Sequence, residues 1–176
     1  MRILLSEERL QAGVDLMAER IRERYGQQPL TIVAIMTGSL VLLADLIRRL
    51  DMPVRVSLIQ ASSYRGGTES GTLWIRDNMM LDITGRDVLV LDDIFDTGKT
   101  LAEVTKRIDS MGPRTIATAV LLHKRARQQV ELNPDFVAFE IPDEFVVGYG
   151  LDYRDLYRNL PFLAVLEESE IGASMV

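Results

Sequence analysis

Leu10, Val14, Met17 and Ile21 recur at three- and four-residue spacing, which predicts an amphipathic helix over residues 7–25. Ser6 followed by Glu7 and Glu8 reads as its N-cap with acids in the first turn, and Gly26 as its stop. The pattern then changes period. Residues 30–36 (LTIVAIM) are a continuous apolar run rich in β-branched side chains, hence a buried strand. Thr37-Gly38-Ser39 reads as a turn, residues 40–50 return to helical spacing, and Pro53 opens a strand with Val54, Val56, Leu58 and Ala61 in period two. Residues 88–91 (VLVL) and 115–122 (TIATAVLL) are further buried strands, separated by a helix over 100–111 that Gly112-Pro113 stops. Shorter strands are predicted at 136–141, 146–147 and 162–166. Strands alternating with helices imply an α/β fold: an open, mostly parallel twisted sheet flanked by helices.

Residues 62–78 break this rhythm. Ser62, Ser63, Gly66, Gly67, Thr68, Ser70 and Gly71 offer little to bury. Two readings stay open on local grounds, a polar hairpin tip and a lid over an active site. No repeat, low-complexity tract or linker divides the chain, so residues 1–176 are read as a single domain.

Composition narrows the chemistry. With 47% hydrophobic residues in 176, there is material for a real core without a staple. Cysteine is absent, which removes thiol nucleophiles, disulfides and iron–sulfur clusters; with His123 as the single histidine, a structural zinc site lacks its usual ligands. Any acid–base chemistry falls to carboxylates, lysine or tyrosine. The net charge of −6 argues against nucleic-acid binding by bulk charge. The acidity is concentrated late: residues 131–176 hold ten acids against Arg154 and Arg158. The N-terminus meets acids too early for a signal peptide, and no apolar run approaches the ~20 residues of a membrane span. The expectation is a cytoplasmic protein with no membrane and no nucleic-acid partner.

The sharpest segment is 88–100, VLVLDDIFDTGKT. A buried strand ends in Asp92 and Asp93, turns, and enters a helix at Thr97-Gly98-Lys99-Thr100. Open α/β sheets bind ligands at the carboxyl ends of their strands, and a helix start offers free N–H groups to an anion. Gly98 allows close approach, the threonines add hydroxyls and Lys99 adds charge, so the segment reads as a phosphate cradle. Three carboxylates beside a phosphate need work to do: holding hydroxyls, holding a divalent cation, or moving a proton. A P-loop is excluded because it needs a glycine five positions before Gly98, where this chain has Asp93.

This segment closely resembles the phosphoribosyl pyrophosphate signature of type I phosphoribosyltransferases. Residues 121–125 (LLHKR) and 134–153 (PDFVAFEIPDEFVVGYGLDY) resemble the purine-recognition region of the hypoxanthine(-guanine) phosphoribosyltransferase family, so the likeness runs from about residue 30 to 166. It implies a type I phosphoribosyltransferase fold with a small hood built from N- and C-terminal segments, the base-binding part spanning about 124–160. It implies transfer of 5-phosphoribosyl from phosphoribosyl pyrophosphate to N9 of hypoxanthine, and of guanine, in purine salvage, with Mg²⁺ as cofactor and a homodimer or homotetramer as the assembly.

Residue by residue, the resemblance implies that Asp92 and Asp93 hold the ribose hydroxyls, directly or through metal, and that Asp96, Thr97, Gly98, Lys99 and Thr100 bind the 5′-phosphate. Asp96 also serves as general acid/base at purine N7. Lys124 donates to the 6-oxo group, Phe145 stacks on the base, and Val146, Ile94 and Asp152 complete the purine site. Asp152 is also a metal ligand with Asp92 and Asp93. Thr37, Gly38 and Arg158 take the pyrophosphate, and Ser63 and Tyr64 lie on the lid. Local readings remain beside these: Phe145 as plain core, Arg158 as the partner of a nearby acid, His123 as a packing residue. The chain departs from many relatives at Asp92, where Glu is common, at Thr37, where Lys or Arg is common, and at Glu144, where some carry Lys. The alternatives are a xanthine-preferring enzyme of the same fold and an RNA-binding regulator that keeps the fold.

Overall fold

A computed structural model describes residues 1–63, 73–76, 81–167 and 170. The elements in chain order are β1 (Arg2–Leu5), α1 (Glu7–Tyr25), β2 (Leu30–Met36), α2 (Leu40–Ile47), β3 (Val54–Ser63), β4 (Leu73–Arg76), β5 (Asp87–Phe95), α3 (Lys99–Asp109), β6 (Thr115–His123), β7 (Phe136–Glu140), β8 (Val146–Val147) and β9 (Leu163–Val165). The main sheet has the order β4-β3-β2-β5-β6-β7, parallel except for β4 on one edge.

The period-two alternation within each buried strand explains why both faces are covered. On β5, Leu89 and Leu91 join the cluster formed with α1 and α2, while Val88 and Val90 join the cluster formed with α3. Both sets are fully buried, each side chain stabilising by about 1.5–3 kcal/mol relative to an exposed position. The α1 face of Leu10, Val14, Met17 and Ile21 is buried as its spacing predicts, with the Ser6 hydroxyl accepting from Arg9 N–H at 3.4 Å.

A second sheet, of order β1-β9-β8, is antiparallel and forms the hood. It joins the two ends of the chain, with Arg2 opposite Val165 and Val146 opposite Val165 on the other side. No four-residue pattern announces β1; its partner is supplied across the whole chain.

Two expectations are adjusted. Helix α2 stops at Ile47 rather than 50, where Arg49 N–H bonds Leu46 O at 3.0 Å in a tight i→i+3 turn. The 62–78 stretch is not all loop: β3 runs to Ser63, and Leu73–Arg76 pairs antiparallel with it, Ser63 opposite Leu73. Tyr64, with the lid residues 65–72 and 77–78, lies outside the described residues. Among the described residues no helix is long and apolar enough to cross a membrane.

Candidate active site

In the main sheet, β2 leads through α2 to β3 on one side, whereas β5 leads through α3 to β6 on the other. The strand order therefore reverses between β2 and β5, and a crevice opens at their carboxyl ends. A cavity of about 760 Å³ occupies this position. It is lined by Thr37 and Gly38 after β2, Asp92, Asp93 and Ile94 at the end of β5, the Asp96-Thr97-Gly98-Lys99-Thr100 turn, and Asp152 and Arg158 from the hood. Twelve residues singled out by sequence reasoning thus face one space.

The turn into α3 is built for an anion. Gly98 is left-handed (φ 83°) and is the N-terminal cap residue, so it has no side chain to cap the first N–H groups of the helix, of which that of Lys99 makes only a long 3.5 Å bond to the Thr97 hydroxyl. Those groups remain for a ligand. Opposite them, the Thr37-Gly38 turn touches β5 directly: a Cβ at position 38 would fall 1.6 Å from Asp93 Oδ2. The hood closes on the same turn, because a Cβ on Gly150 would fall 2.1 Å from Gly38 O, and Gly150 has φ 101°.

Asp93 N–H donates to Asp92 Oδ1 at 3.0 Å, and Ile94 N–H to Asp93 Oδ1 at 2.8 Å. Burial, reinforced by the neighbouring charge of Asp93, pushes the Asp92 carboxyl well above the usual carboxylate range; burial also raises Asp93. Two adjacent buried carboxyls of this kind suit hydroxyl donors or a cation. Across the cavity, Arg158 Nη2 lies 2.8 Å from Asp152 Oδ1, and its Nη1 donates to Gly150 O at 2.8 Å. Arg158 therefore does pair with an acid, and it is held pointing into the cavity by that pair.

A match to the phosphoribosyl transferase domain model covers residues 2–154. The chain belongs to the phosphoribosyl transferase domain family. It is 43% identical over 166 residues to a hypoxanthine-guanine phosphoribosyltransferase of Staphylococcus epidermidis, covering 94% of this chain and 93% of that protein. The corresponding Aquifex aeolicus protein is 40% identical over 170 residues, 96% of each chain. Among solved structures, a Staphylococcus aureus hypoxanthine phosphoribosyltransferase superposes with TM-score 0.91 at 37% identity, covering 99% of this chain and 95% of that one. A Trypanosoma cruzi hypoxanthine phosphoribosyltransferase in complex with the product IMP superposes with TM-score 0.89 at 36% identity, covering 96% and 95%.

Of the residues expected at the purine, Ile94 and Asp152 line the cavity of this phosphoribosyltransferase chain, whereas Lys124, Phe145 and Val146 are not in its lining. Lys124 directly follows β6, with its side chain only 8% exposed and its Nζ 3.6 Å from Asp143 Oδ1, so it is no surface lysine. Phe145 is 44% exposed and meets Tyr153 edge-on at 5.6 Å, which excludes a plain core role. Val146 is buried in β8. His123 packs: it is buried edge-on to Phe95 at 4.9 Å, with Nε2 3.2 Å from Gln128 Oε1. Glu144 forms a two-pronged ion pair with Arg2 at 2.8 Å, tying β1 to the loop before β8.

Asp92, Asp93 and Asp152 line one cavity, but among the described residues no group of three or more acids and histidines is gathered closely enough to hold a metal ion by protein ligands alone. Sequence reasoning missed Arg127, Gln60 and Asp155, which also line the cavity. Arg127 Nε lies 2.6 Å from Asp96 Oδ1. Local sequence shows it as one more basic residue after Lys124; only the fold turns it toward Asp96.

Proposed function

We propose that the cavity takes phosphoribosyl pyrophosphate with its 5′-phosphate on Asp96–Thr100, its ribose hydroxyls on Asp92 and Asp93, and its pyrophosphate between Thr37-Gly38 and Arg158. The chain is a purine-salvage phosphoribosyltransferase of the hypoxanthine-guanine type, and this assignment gives its reaction a location. The observation that carries it is the phosphate-binding helix start and the buried carboxyl pair facing one cavity at the switch point of the sheet.

The 6-oxopurine lies between Asp96 and the hood, with Phe145 against its face, Lys124 donating to the 6-oxo oxygen, and Val146, Ile94 and Asp152 around it. N9 attacks C1′ of the ribosyl group as the C1′–O bond breaks and its electron pair leaves on pyrophosphate. Asp96 accepts the N7 proton as the base acquires positive charge. The donor set fits Mg²⁺, which takes one or two carboxylates and completes its shell with water and substrate oxygens. Asp152 would hold it, with Asp92 and Asp93 as further carboxylates, and when bound it would supply positive charge to neutralise the leaving pyrophosphate. Ser63 and Tyr64 are assigned to the segment covering the reacting centre, where water is to be excluded. A homodimer or homotetramer and a cytoplasmic location belong to the same reading.

The deciding experiment is nucleotide formation from phosphoribosyl pyrophosphate with hypoxanthine, guanine, xanthine and adenine, each with and without Mg²⁺. Metal-dependent products from hypoxanthine and guanine are expected. A clear preference for xanthine or adenine, or no product, would refute the assignment. Lys124→Ala should weaken the 6-oxopurines selectively, read as KM for hypoxanthine against adenine binding; equal loss for both would remove Lys124 from base recognition.

A further inference from the structure

One ionic chain joins the two halves of the site. Arg127 Nε lies 2.6 Å from Asp96 Oδ1, Arg127 Nη1 lies 3.5 Å from Asp143 Oδ1, and the same oxygen lies 3.6 Å from Lys124 Nζ. Arg127 thus stands between the carboxylate assigned to the base proton and the lysine assigned to the 6-oxo group. The Asp96 contact is an ion pair that completes no hydrogen bond: Oδ1 is buried and unsatisfied. Arg127 also belongs to the cradle. The segment carrying it is sewn to the phosphate turn by Gln129 N–H donating to Thr97 O at 3.0 Å, and Val130 packs on Gly98 so closely that a Cβ there would come within 2.5 Å of it. Arg127 lines the same cavity as Thr97, Gly98 and Thr100.

We propose that Arg127 is a positioning residue that parks Asp96 in the free protein and transfers to the 5′-phosphate when a phosphorylated ribose enters the cradle, releasing Asp96 for the purine. This rests on the assignment of Asp96 and the cradle made above. A guanidinium binds a phosphate dianion through two parallel charge-assisted bonds, a better partner than one misaligned carboxylate oxygen. Its fork is about half exposed, with room to swing, while the backbone bond from Gln129 keeps its base fixed over the cradle. When Arg127 leaves, Asp143 remains as the counter-ion of Lys124, so the recognition lysine stays in place. The sugar phosphate and the base are thereby coupled although they share no contact.

The test is calorimetric titration of hypoxanthine into the native chain with and without ribose 5-phosphate, which carries the phosphate but no leaving group. Ribose 5-phosphate is expected to tighten hypoxanthine binding roughly tenfold, within the usual range for coupled sites. In Arg127→Gln the factor should fall to about one, with free-protein hypoxanthine binding at least as tight as native, a gain that a merely damaged site would not produce. Arg127→Lys, keeping the charge but not the fork, should give an intermediate factor. Full coupling in Arg127→Gln, or none in the native chain, would overturn the proposal. Turnover is measured separately: a native chain that makes no nucleotide defeats the functional reading, whereas an active one with unaltered coupling in Arg127→Gln defeats only this inference.

Discussion

At the scale of single residues, the proposed chemistry concentrates on Asp96. It borders the cradle, the cavity and the ion pair with Arg127 at once. Asp96→Asn keeps the shape and loses the proton acceptor, so turnover should fall by roughly 10²–10⁴-fold with phosphoribosyl pyrophosphate still bound. Steady-state rates and a binding titration check this, and near-native turnover would reassign the base. Asp92 carries a different signature. Because its carboxyl is raised, the folded state holds protons that the unfolded chain releases, and the unliganded protein loses stability as pH rises from the ordinary carboxylate range through the raised value. Asp92→Asn removes that loss. Its melting temperature, relative to native, should climb with pH over that window; a difference flat in pH would contradict the assignment. These carboxylates were legible in the sequence because they come at the carboxyl end of an unmistakable buried strand. Arg127 was not, since nothing in a run of basic residues says which one turns inward.

Elements meet in this fold through a few buried polar contacts. Tyr149, next to Gly150 of the hood, donates its hydroxyl to Asp45 Oδ2 of α2 at 2.6 Å, and Gln11 of α1 donates to the same oxygen at 3.0 Å. Burial works against the Asp45 charge, but the bonds from Tyr149, Gln11 and Arg48 together hold its carboxyl below the ordinary value. The contact sets the hood over the Thr37-Gly38 turn, because Gly150 abuts Gly38. Asp45→Ala strands the Tyr149 hydroxyl and should cost about 1–3 kcal/mol in urea unfolding, with KM for phosphoribosyl pyrophosphate raised as the hood loosens. Unchanged stability would show that water replaces the contact. Helix α1 and strands β2, β5 and β6 were readable from periodicity because each is long and pairs with the core along its whole length. Strands β8 and β9 were readable as short apolar runs at 146–147 and 162–166, whereas β1 and β4, four residues each, were not, because only partners elsewhere in the chain define them.

Across the whole molecule, the site joins the sheet to the hood, which itself ties residues 2–5 to residues 163–165. A ligand that spans this junction binds only the folded chain and so stabilises all of it. Phosphoribosyl pyrophosphate with Mg²⁺ at about 100 times its Kd should add roughly 2.7 kcal/mol. Thermal melts with each component alone and with both together test this. The joint shift should exceed the sum of the separate shifts, and simple additivity would count against a shared site. The concentrated acidity of residues 131–176 acquires a partial purpose at this scale: Asp152 faces the cavity, Asp143 holds Lys124 and Arg127, and Glu144 and Asp135 make ion pairs with Arg2 and Arg24.

By itself the sequence determined the class of fold and the grouping of Asp92, Asp93 and Asp96 with the Thr97–Thr100 turn, the proposed phosphate cradle, because hydrophobic period and a dense local motif are properties of neighbouring residues. The tertiary structure decided what depends on distance through space. It set the crevice between β2 and β5, the hood closed by the two ends of the chain, the burial of Lys124 beside Asp143, and the meeting of Arg127 with Asp96. Those contacts join residues from 19 to well over a hundred positions apart, or turn on which way one side chain points, and no local pattern encodes either.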